Sequence, residues 1–479
     1  MNKKELLQVI DDKKELFIEV SDKIWEYAEL SLLEFKSAKL YIEKLKELGF
    51  EVEEEIAGVK TAFTGTYGSG KPIIGILAEF DALSGLSQES EILVRKELVK
   101  GGCGHGCGHH LLGAGSLAAA VAIKEYLTSK GEGSGTVVFY GCPGEEGGAG
   151  KAFMAREGIF YDLDAALTWH PGSSNEVTTG TNNSSIQIEY TFEGIASHAA
   201  GAPHMGRSAL DGVELMNIGV QFLREHIKDY ERIHYSIIDA GGNSPNVVQP
   251  RAQVLYMVRS NTVLETKKLL ERVDNIAKAA AMMSETTLSR RFIDGTSNTI
   301  ANSTLEKLLY KNFEGIELPE YTDEEWTFAN ELKKTYPSDG LPGFGAKHNF
   351  EIANIVSEKT NNGERALNDF LMPQFHSSEQ SMGSTDVGDV SWQTPTAQIN
   401  TVTWTSGSPG HSWQNVSLGK SNIAHKGLLL AGKVLASTAM DLYENPDILI
   451  KAKEEWKLKT VSGYICPIEV DAIPIAIGQ

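Results

Sequence analysis

The chain has 479 residues, a formal charge of −20 at pH 7 and 41% hydrophobic residues, enough for two or three domains around a large core. That acidic balance argues against a nucleic-acid partner and says little about substrate. Its four Cys are too few for a disulfide framework, no apolar run is expected to span a bilayer, and Met1-Asn2-Lys3-Lys4-Glu5 opens a charged helix rather than a signal peptide, so the expectation is a cytoplasmic protein with no membrane partner.

Residues from about Lys3 to Leu48 read as helix, with Ile24, Tyr27, Ala28, Leu32 and Phe35 at helical spacing. Gly49 is a helix stop. Pro72 to Ala78 is a short apolar run that predicts a buried strand, and it ends in Glu79-Phe80-Asp81-Ala82-Leu83. The stretch Gly102-Cys103-Gly104-His105-Gly106-Cys107-Gly108-His109-His110 then packs thiols and imidazoles among glycines and opens a small-residue helix from Leu111 to Leu127. Thiolate and imidazole are ligands that zinc and similar ions favour, and glycine lets a loop fold tightly around an ion. Thr136 to Cys142 is the next buried strand and runs into Pro143-Gly144-Glu145-Glu146-Gly147-Gly148. After a short helix, Lys151 to Glu157, a third strand from Ala165 to Trp169 ends at His170-Pro171. Three successive strands thus deliver polar groups at their C-terminal ends, where open α/β sheets bind ligands. One sheet edge with one site is implied.

The pattern changes near Ser184, where Ile186, Ile188 and Tyr190 alternate with polar residues, as in a half-exposed strand. Ser197-His198-Ala199-Ala200, a helix from Ser208 to about Lys228, strands at Ile233–Asp239 and Ala252–Ser260, a helix from Leu264 to Met283 and a strand near Thr287 to Ile293 follow. This β-α-β-β-α-β order is that of a ferredoxin-like module. The expected domains are 1–182 and 296–479 as one split catalytic domain, with 183–295 inserted. Gly315 to Glu379 is the least readable stretch and is expected to hold loops and excursions. The strand from Ala397 to Trp404 returns to the first domain, Gly407-Ser408-Pro409-Gly410-His411-Ser412 is another glycine-rich strand end, and helices from Ser421 to Leu442 and on to Trp456 close the chain.

The strand-end groups are Asp81, Cys107, His109, Glu145, Glu146, His170 and His411. Adjacent glutamates in such a loop point different ways, so one can ligate while the other faces substrate. Catalytic zinc keeps a position open for water, and a nearby carboxylate can take the proton and return it to a leaving amine.

Six motifs occur in order: Glu79-Phe80-Asp81-Ala82-Leu83, His105-Gly106-Cys107-Gly108-His109, Pro143 to Gly148, Ser197-His198-Ala199-Ala200, Asn246-Val247-Val248 and Gly410-His411-Ser412. By these the chain resembles, over nearly its whole length, the aminoacylase–carboxypeptidase–amidohydrolase superfamily of dinuclear metallopeptidases (clan MH). Within it the chain is most similar to the amidohydrolase branch, which contains the B-type chains of p-aminobenzoyl-glutamate hydrolase and the indole-acetyl-amino-acid hydrolases. The resemblance implies an α/β fold: a zinc-peptidase-like catalytic domain with a mixed central sheet flanked by helices, plus an inserted α+β ferredoxin-like dimerisation domain. It implies two divalent ions, zinc or manganese, bridged by Cys107 and completed by His109, Glu146, His170 and His411, with Glu145 as general base. Asp81 would orient a ligand imidazole. His198 would reach the partner subunit's active site and stabilise the oxyanion, and Asn246 would help hold substrate. A homodimer through the inserted domain is implied, with a heteromer as the alternative.

Three departures from the family pattern stand out: His110 where Asp or Asn is usual, Glu79 where Asp is usual, and the extra thiol Cys103. His204, near His198, is a further candidate. The expected activity is hydrolysis of an amide bond in an N-acyl amino acid or p-aminobenzoyl-glutamate type substrate. The competing readings are a dipeptidase for unusual dipeptides and a catalytically silent subunit of a heteromeric hydrolase.

Overall fold

The computed structural model describes residues 1–337 and 340–477. Two compact units are present. The first comprises Met1–Gly180, Ile300–Glu379 and Val390–Tyr464; the second comprises Thr181–Thr299, Gln380–Asp389 and the chain from Ile465 onward.

The first unit is built on a seven-stranded mixed sheet, in the spatial order Glu51–Glu54, Phe63–Ser69, Gly135–Gly141, Ile73–Ala78, Ala165–Gly172, Thr396–Val402, Glu176–Val177. The four strands from Gly135–Gly141 to Thr396–Val402 run parallel, and three of them are almost wholly buried, as a sheet covered on both faces requires. Helices His109–Lys130 and Asn422–Glu444 pack on each other and on these strands. Small residues make that approach possible: a Cβ on Gly432 would lie 2.9 Å from the Ala118 methyl. Trp169 packs against Gly115, where a Cβ would lie 2.8 Å from its indole, and donates its indole N–H to Leu112 O at 2.9 Å. Trp169→Ala would cost roughly 3–5 kcal/mol by leaving a cavity there. Helix His109–Lys130 is long and apolar enough to cross a membrane by length and composition, contrary to the expectation from sequence, and 83% of its apolar window is buried inside the fold.

The long N-terminal helix expected from sequence is three helices, Lys3–Asp12, Lys14–Tyr27 and Phe35–Glu47. The second ends at Ala28, which adopts a left-handed conformation (φ 42°) without glycine or proline to announce it. The break frees Ser31 and Glu34 from helix and lets them turn towards the strand ends. The stretch expected to be loops contains helices Asp323–Lys333, Phe344–His348 and Phe350–Lys359. Two of these carry readable start signals, the Thr322/Glu325 capping box and the Asn349 cap.

In the second unit the strands are Ser184–Glu193, Arg232–Asp239, Arg251–Ser260 and Thr287–Thr296, with helices Ala209–Arg224 and Val263–Ser284. Thr287–Thr296 is an edge strand, followed in order by Ser184–Glu193, Arg251–Ser260 and Arg232–Asp239, all antiparallel. This is the ferredoxin-like arrangement read from sequence. Ala252, Val254, Tyr256 and Val258 face inward at every second position and meet Ile186, Ile188, Tyr190 and Phe192 in one core. The unit is wider than residues 183–295. Gln380 Nε2 donates to Asn182 O (3.2 Å) and Asn183 Oδ1 (2.8 Å), Asp389 accepts from Ser297 N (3.0 Å) and Oγ (2.7 Å), and Arg290 pairs with Glu469 at 2.8 Å. Such returns leave no local pattern in the sequence.

Candidate metal centre

The parallel strands Gly135–Gly141, Ile73–Ala78 and Ala165–Gly172 present their ends side by side. Glu79 and Asp81 follow one, Glu145 and Glu146 follow another, and His170 lies near the end of the third. The glycine- and histidine-rich loop of residues 102–108 reaches the same place through Gly108, whose positive φ (+80°) starts helix His109–Lys130. A Cβ on Gly106 would lie 3.2 Å from His411 Cα and 2.6 Å from the Leu86 side chain, so the two loops meet only because residue 106 has none. Asn415 Nδ2 ties them together, donating to Gly106 O (3.2 Å) and Pro409 O (3.3 Å). His411 itself is held at φ 53°, a left-handed conformation that costs a non-glycine residue of order 1–3 kcal/mol.

One donor atom each from Cys107, His109 and His170 lies within 4.8 Å of the others; the same holds for Cys107, Glu146 and His411, and for Glu79, His109 and Glu145. Cys107 therefore belongs to two donor groups, as does His109. Cys107 Sγ is 3.3 Å from His170 Nε2, His411 Nε2 is 3.4 Å from Glu146 Oε2, and His109 Nε2 is 3.9 Å from Glu145 Oε2. The rings are aimed by their other nitrogens. His109 Nδ1 donates to Asp81 Oδ1 at 2.8 Å, and His170 Nδ1 donates to Pro171 O at 2.7 Å, so both present Nε2 to the cluster. Asp81 Oδ2 is fixed in turn by Ser31 Oγ (2.7 Å) and the Glu146 amide (2.9 Å).

The electrostatics call for a cation. Burial, with Asp81 adding to it, pushes the Glu146 carboxyl up against the pull of His109 and His411. Burial and Glu146 push the Cys107 thiol well up. Burial opposes ionisation of Asp81 too, but His109 and the donors around it win and hold it down at about 2. Burial takes His170 down to about 4, whereas Cys107 and Asp81 overcome burial at His109 and raise it well above the usual imidazole range. His109 Nε2, Glu146 Oε1 and Glu79 Oε2 are buried without a hydrogen bond, each at a cost of about 1–3 kcal/mol if nothing else engages it. A sulfur, several imidazoles and carboxylates form a donor set that suits divalent ions such as zinc or manganese, and the residues fit that role.

Of the residues expected at the site, Asp81, Cys107, His109, Glu145, Glu146, His170 and His411 are brought together in the first unit. His198 and Asn246 are neighbours in the second unit. His198 pairs with Val247 in an antiparallel bridge, and Ala199 N donates to Asn246 O at 3.0 Å. The Ala200 and Gly201 amides point at His198 Nδ1 (3.3 and 3.0 Å), which leaves the proton of the neutral ring on Nε2. Both side chains are exposed, as is His204 in its short 3-10 turn. His110 turns away from the donors; its Nε2 donates to Gly419 O (2.9 Å) beside the His105 ring. Cys103 lines a separate hollow of ≈300 Å³ with Trp25, Tyr27, Leu98 and Val99.

Some contributors were not read from sequence. Glu34 is fully buried, and its Oε1 accepts from Leu32 N and Gly144 N (both 2.8 Å), its Oε2 from Thr61 Oγ1 (2.9 Å). It pins the turn that presents Glu145 and Glu146. Lys151, also fully buried, pairs with Glu79 Oε1 at 2.7 Å. Beside His170 opens a cleft of ≈690 Å³, lined among others by Glu176, Phe344, Lys347, Asn400 and Trp404, a size that suits a small molecule.

Residues 75–419 match peptidase family M20/M25/M40. The chain is 41% identical to the B chain of p-aminobenzoyl-glutamate hydrolase from Escherichia coli (strain K12), over 98% of this chain and 99% of that one. It is 26% identical to the Xaa-Arg dipeptidase of Homo sapiens, over 81% of this chain and 73% of the relative. Its fold is similar to that of a dinuclear metal binding peptidase of the M20 family from Bacillus subtilis, with a TM-score of 0.53 and 16% identity over 91% of this chain and 99% of that one. The resemblance read from the six motifs is borne out: the chain belongs to peptidase family M20/M25/M40 and is a metal-dependent amide-bond hydrolase.

Proposed function

We propose that the chain cleaves the amide bond of an N-acyl amino acid or a p-aminobenzoyl-glutamate type substrate, using two divalent ions, zinc or manganese. The observation that carries this is the pair of donor groups sharing Cys107, with Glu145 beside them. Cys107, His109, Glu146, His170 and His411 hold the ions. Bound there, the ions would polarise the scissile carbonyl and make water a competent nucleophile at neutral pH. Glu145 takes the proton from the attacking water and hands it to the leaving amine. Asp81 keeps His109 in the tautomer that offers Nε2. His198, with its Nε2–H turned outward, donates to the developing oxyanion, reaching the partner subunit's site in a homodimer formed through the ferredoxin-like unit, and Asn246 helps hold substrate. The cleft places Trp404 against the His170 ring (6.3 Å, edge-on) for an aryl or acyl group, with the Lys347 ammonium for a carboxylate.

The p-aminobenzoyl-glutamate hydrolase B chain, which this protein matches end to end, supports a heteromeric assembly as the alternative to the homodimer. A reducing cytoplasm would keep Cys107 a free thiol. The dipeptidase reading would want an acid partner for a free substrate amine, and Glu176, the carboxylate lining the cleft, is already engaged by Ser174 Oγ (2.8 Å) and the Phe344 amide (3.0 Å). An intact Glu145 argues against a silent subunit, which has no use for a base.

Glu145→Ala tests the mechanism. It should keep its metal and lose turnover by roughly 10²–10⁴-fold; turnover at the wild-type rate rules out Glu145 as the base. A panel of N-acyl amino acids, p-aminobenzoyl-glutamate and cationic dipeptides, assayed with the purified chain and added zinc or manganese, separates the substrate classes.

A further inference from the structure

Glu79 follows the strand Ile73–Ala78 and is 2% exposed. Its two oxygens do different things. Oε1 pairs with Lys151 Nζ at 2.7 Å, deep inside the fold. Oε2 lies 3.2 Å from His109 Nε2, yet neither atom makes a hydrogen bond. The opposite nitrogen of that ring is committed to Asp81, so Oε2 sits on the face of His109 that looks into the donor cluster. Glu79, His109 and Glu145 also form a donor group of their own, within 4.8 Å.

A carboxylate serving only to neutralise a buried lysine has no reason to leave its other oxygen buried without a hydrogen bond and facing the ring nitrogen of His109. Two electron-pair donors at that spacing, both out of reach of solvent, are what a shared cation resolves. The charges agree. With Cys107 as thiolate, Glu79, Asp81, Glu145 and Glu146 complete five negative groups around the site, and Lys151 is the buried ammonium among them; two dications balance what remains.

We propose that Glu79 Oε2 is a ligand of the ion held by His109 Nε2, and that Lys151 is a positioning residue that fixes the carboxylate for that task. The assignment rests on the dinuclear reading above. It adds a carboxylate from the end of strand Ile73–Ala78 to the donor set, and it gives the Glu79–Lys151 pair a role beyond stability.

The test is metal binding by chelator-stripped full-length protein. Wild type, Glu79→Gln, Glu79→Asp and Lys151→Met are titrated with Mn²⁺ for stoichiometry and affinity. The same proteins are loaded with Co²⁺, and the visible d–d absorption is recorded as a readout of coordination number. Wild type should bind two ions. Glu79→Gln should keep one at wild-type affinity, weaken the other at least tenfold, and change the cobalt spectrum. Lys151→Met should weaken the same ion by a smaller factor. Should Glu79→Gln fail to fold, Glu79→Asp reads the same effect, because a shorter carboxylate weakens that ion while keeping the charge that Lys151 needs. Two ions at wild-type affinity with an unchanged cobalt spectrum in both Glu79 variants overturns this assignment alone. A wild-type chain that binds fewer than two ions overturns the dinuclear reading and this assignment with it.

Discussion

The two units use the same strands and helices to bury opposite things. In the first, the central parallel strands are covered on both faces, so polar side chains collect at strand ends, and there they are buried as well: Glu79, Asp81 and His109 are at most 2% exposed. In the second, Arg251–Ser260 alternates while Ser184–Glu193, expected to be half-exposed, is buried along nearly its whole length, apolar residues make the core, and the candidate groups His198 and Asn246 stand in solvent. The difference is one of demand. A buried cluster with unsatisfied donors carries a cost that a cation relieves. An exposed pair requires nothing and acquires a role only when substrate or another chain arrives.

Mutation puts that difference to the test. The greatest loss should come from Cys107→Ala, because Cys107 is common to two donor groups. Both ions should be lost and activity should fall to background, measured by metal analysis and turnover together; a variant that retains two ions removes Cys107 from the bridging role.

The second unit answers to pH rather than to metal. Burial, with Asp386 adding to it, raises the Asp294 carboxyl from 3.8 to about 7. The folded state therefore holds its proton longer than the unfolded chain does. Stability from this group is full below about pH 4 and is lost as pH rises through about 7, by at most about 4 kcal/mol for a shift of that size. Asp294→Asn should flatten that decline in urea unfolding followed from pH 4 to 8. Parallel pH profiles for the two proteins would contradict the assignment.

His198→Ala should lower kcat by roughly 10²–10³-fold while leaving metal content untouched, which separates a transition-state donor from a ligand. A fall in bound metal in that variant would count against the distinction between the units. The mildest change should follow Asp81→Asn. There the His109 ring loses its anionic partner but keeps its place, and metal affinity should drop roughly 10–100-fold; unchanged affinity would leave Asp81 without a hold on the ligand.

Much of this was legible in the chain itself. The apolar runs ending in Glu79-Phe80-Asp81, Glu145-Glu146 and His170 announce three strand ends, and the change to alternation at Ser184 announces the ferredoxin-like unit. Glu34 and Ser31 were not legible. They sit in a stretch whose spacing reads as continuous helix, and their partners Gly144 and Asp81 lie 110 and 50 residues away. Lys151 reads from sequence only as the first residue of a short helix. Only the fold shows that Ala149, in a left-handed conformation (φ 45°), turns that helix inward. Periodicity reports which face of one element is buried; it cannot report which distant carboxylate that face will meet.

Two cations sharing one sulfur are the foundation of the proposed chemistry. Crystals of the manganese- or zinc-loaded protein, with anomalous differences collected on either side of the metal edge, would show them. Two anomalous peaks per chain are expected, both within bonding distance of Cys107 Sγ, one beside His109 and His170 or Glu79 and the other beside Glu146 and His411. A single peak, or two that do not share Cys107, would contradict the dinuclear site.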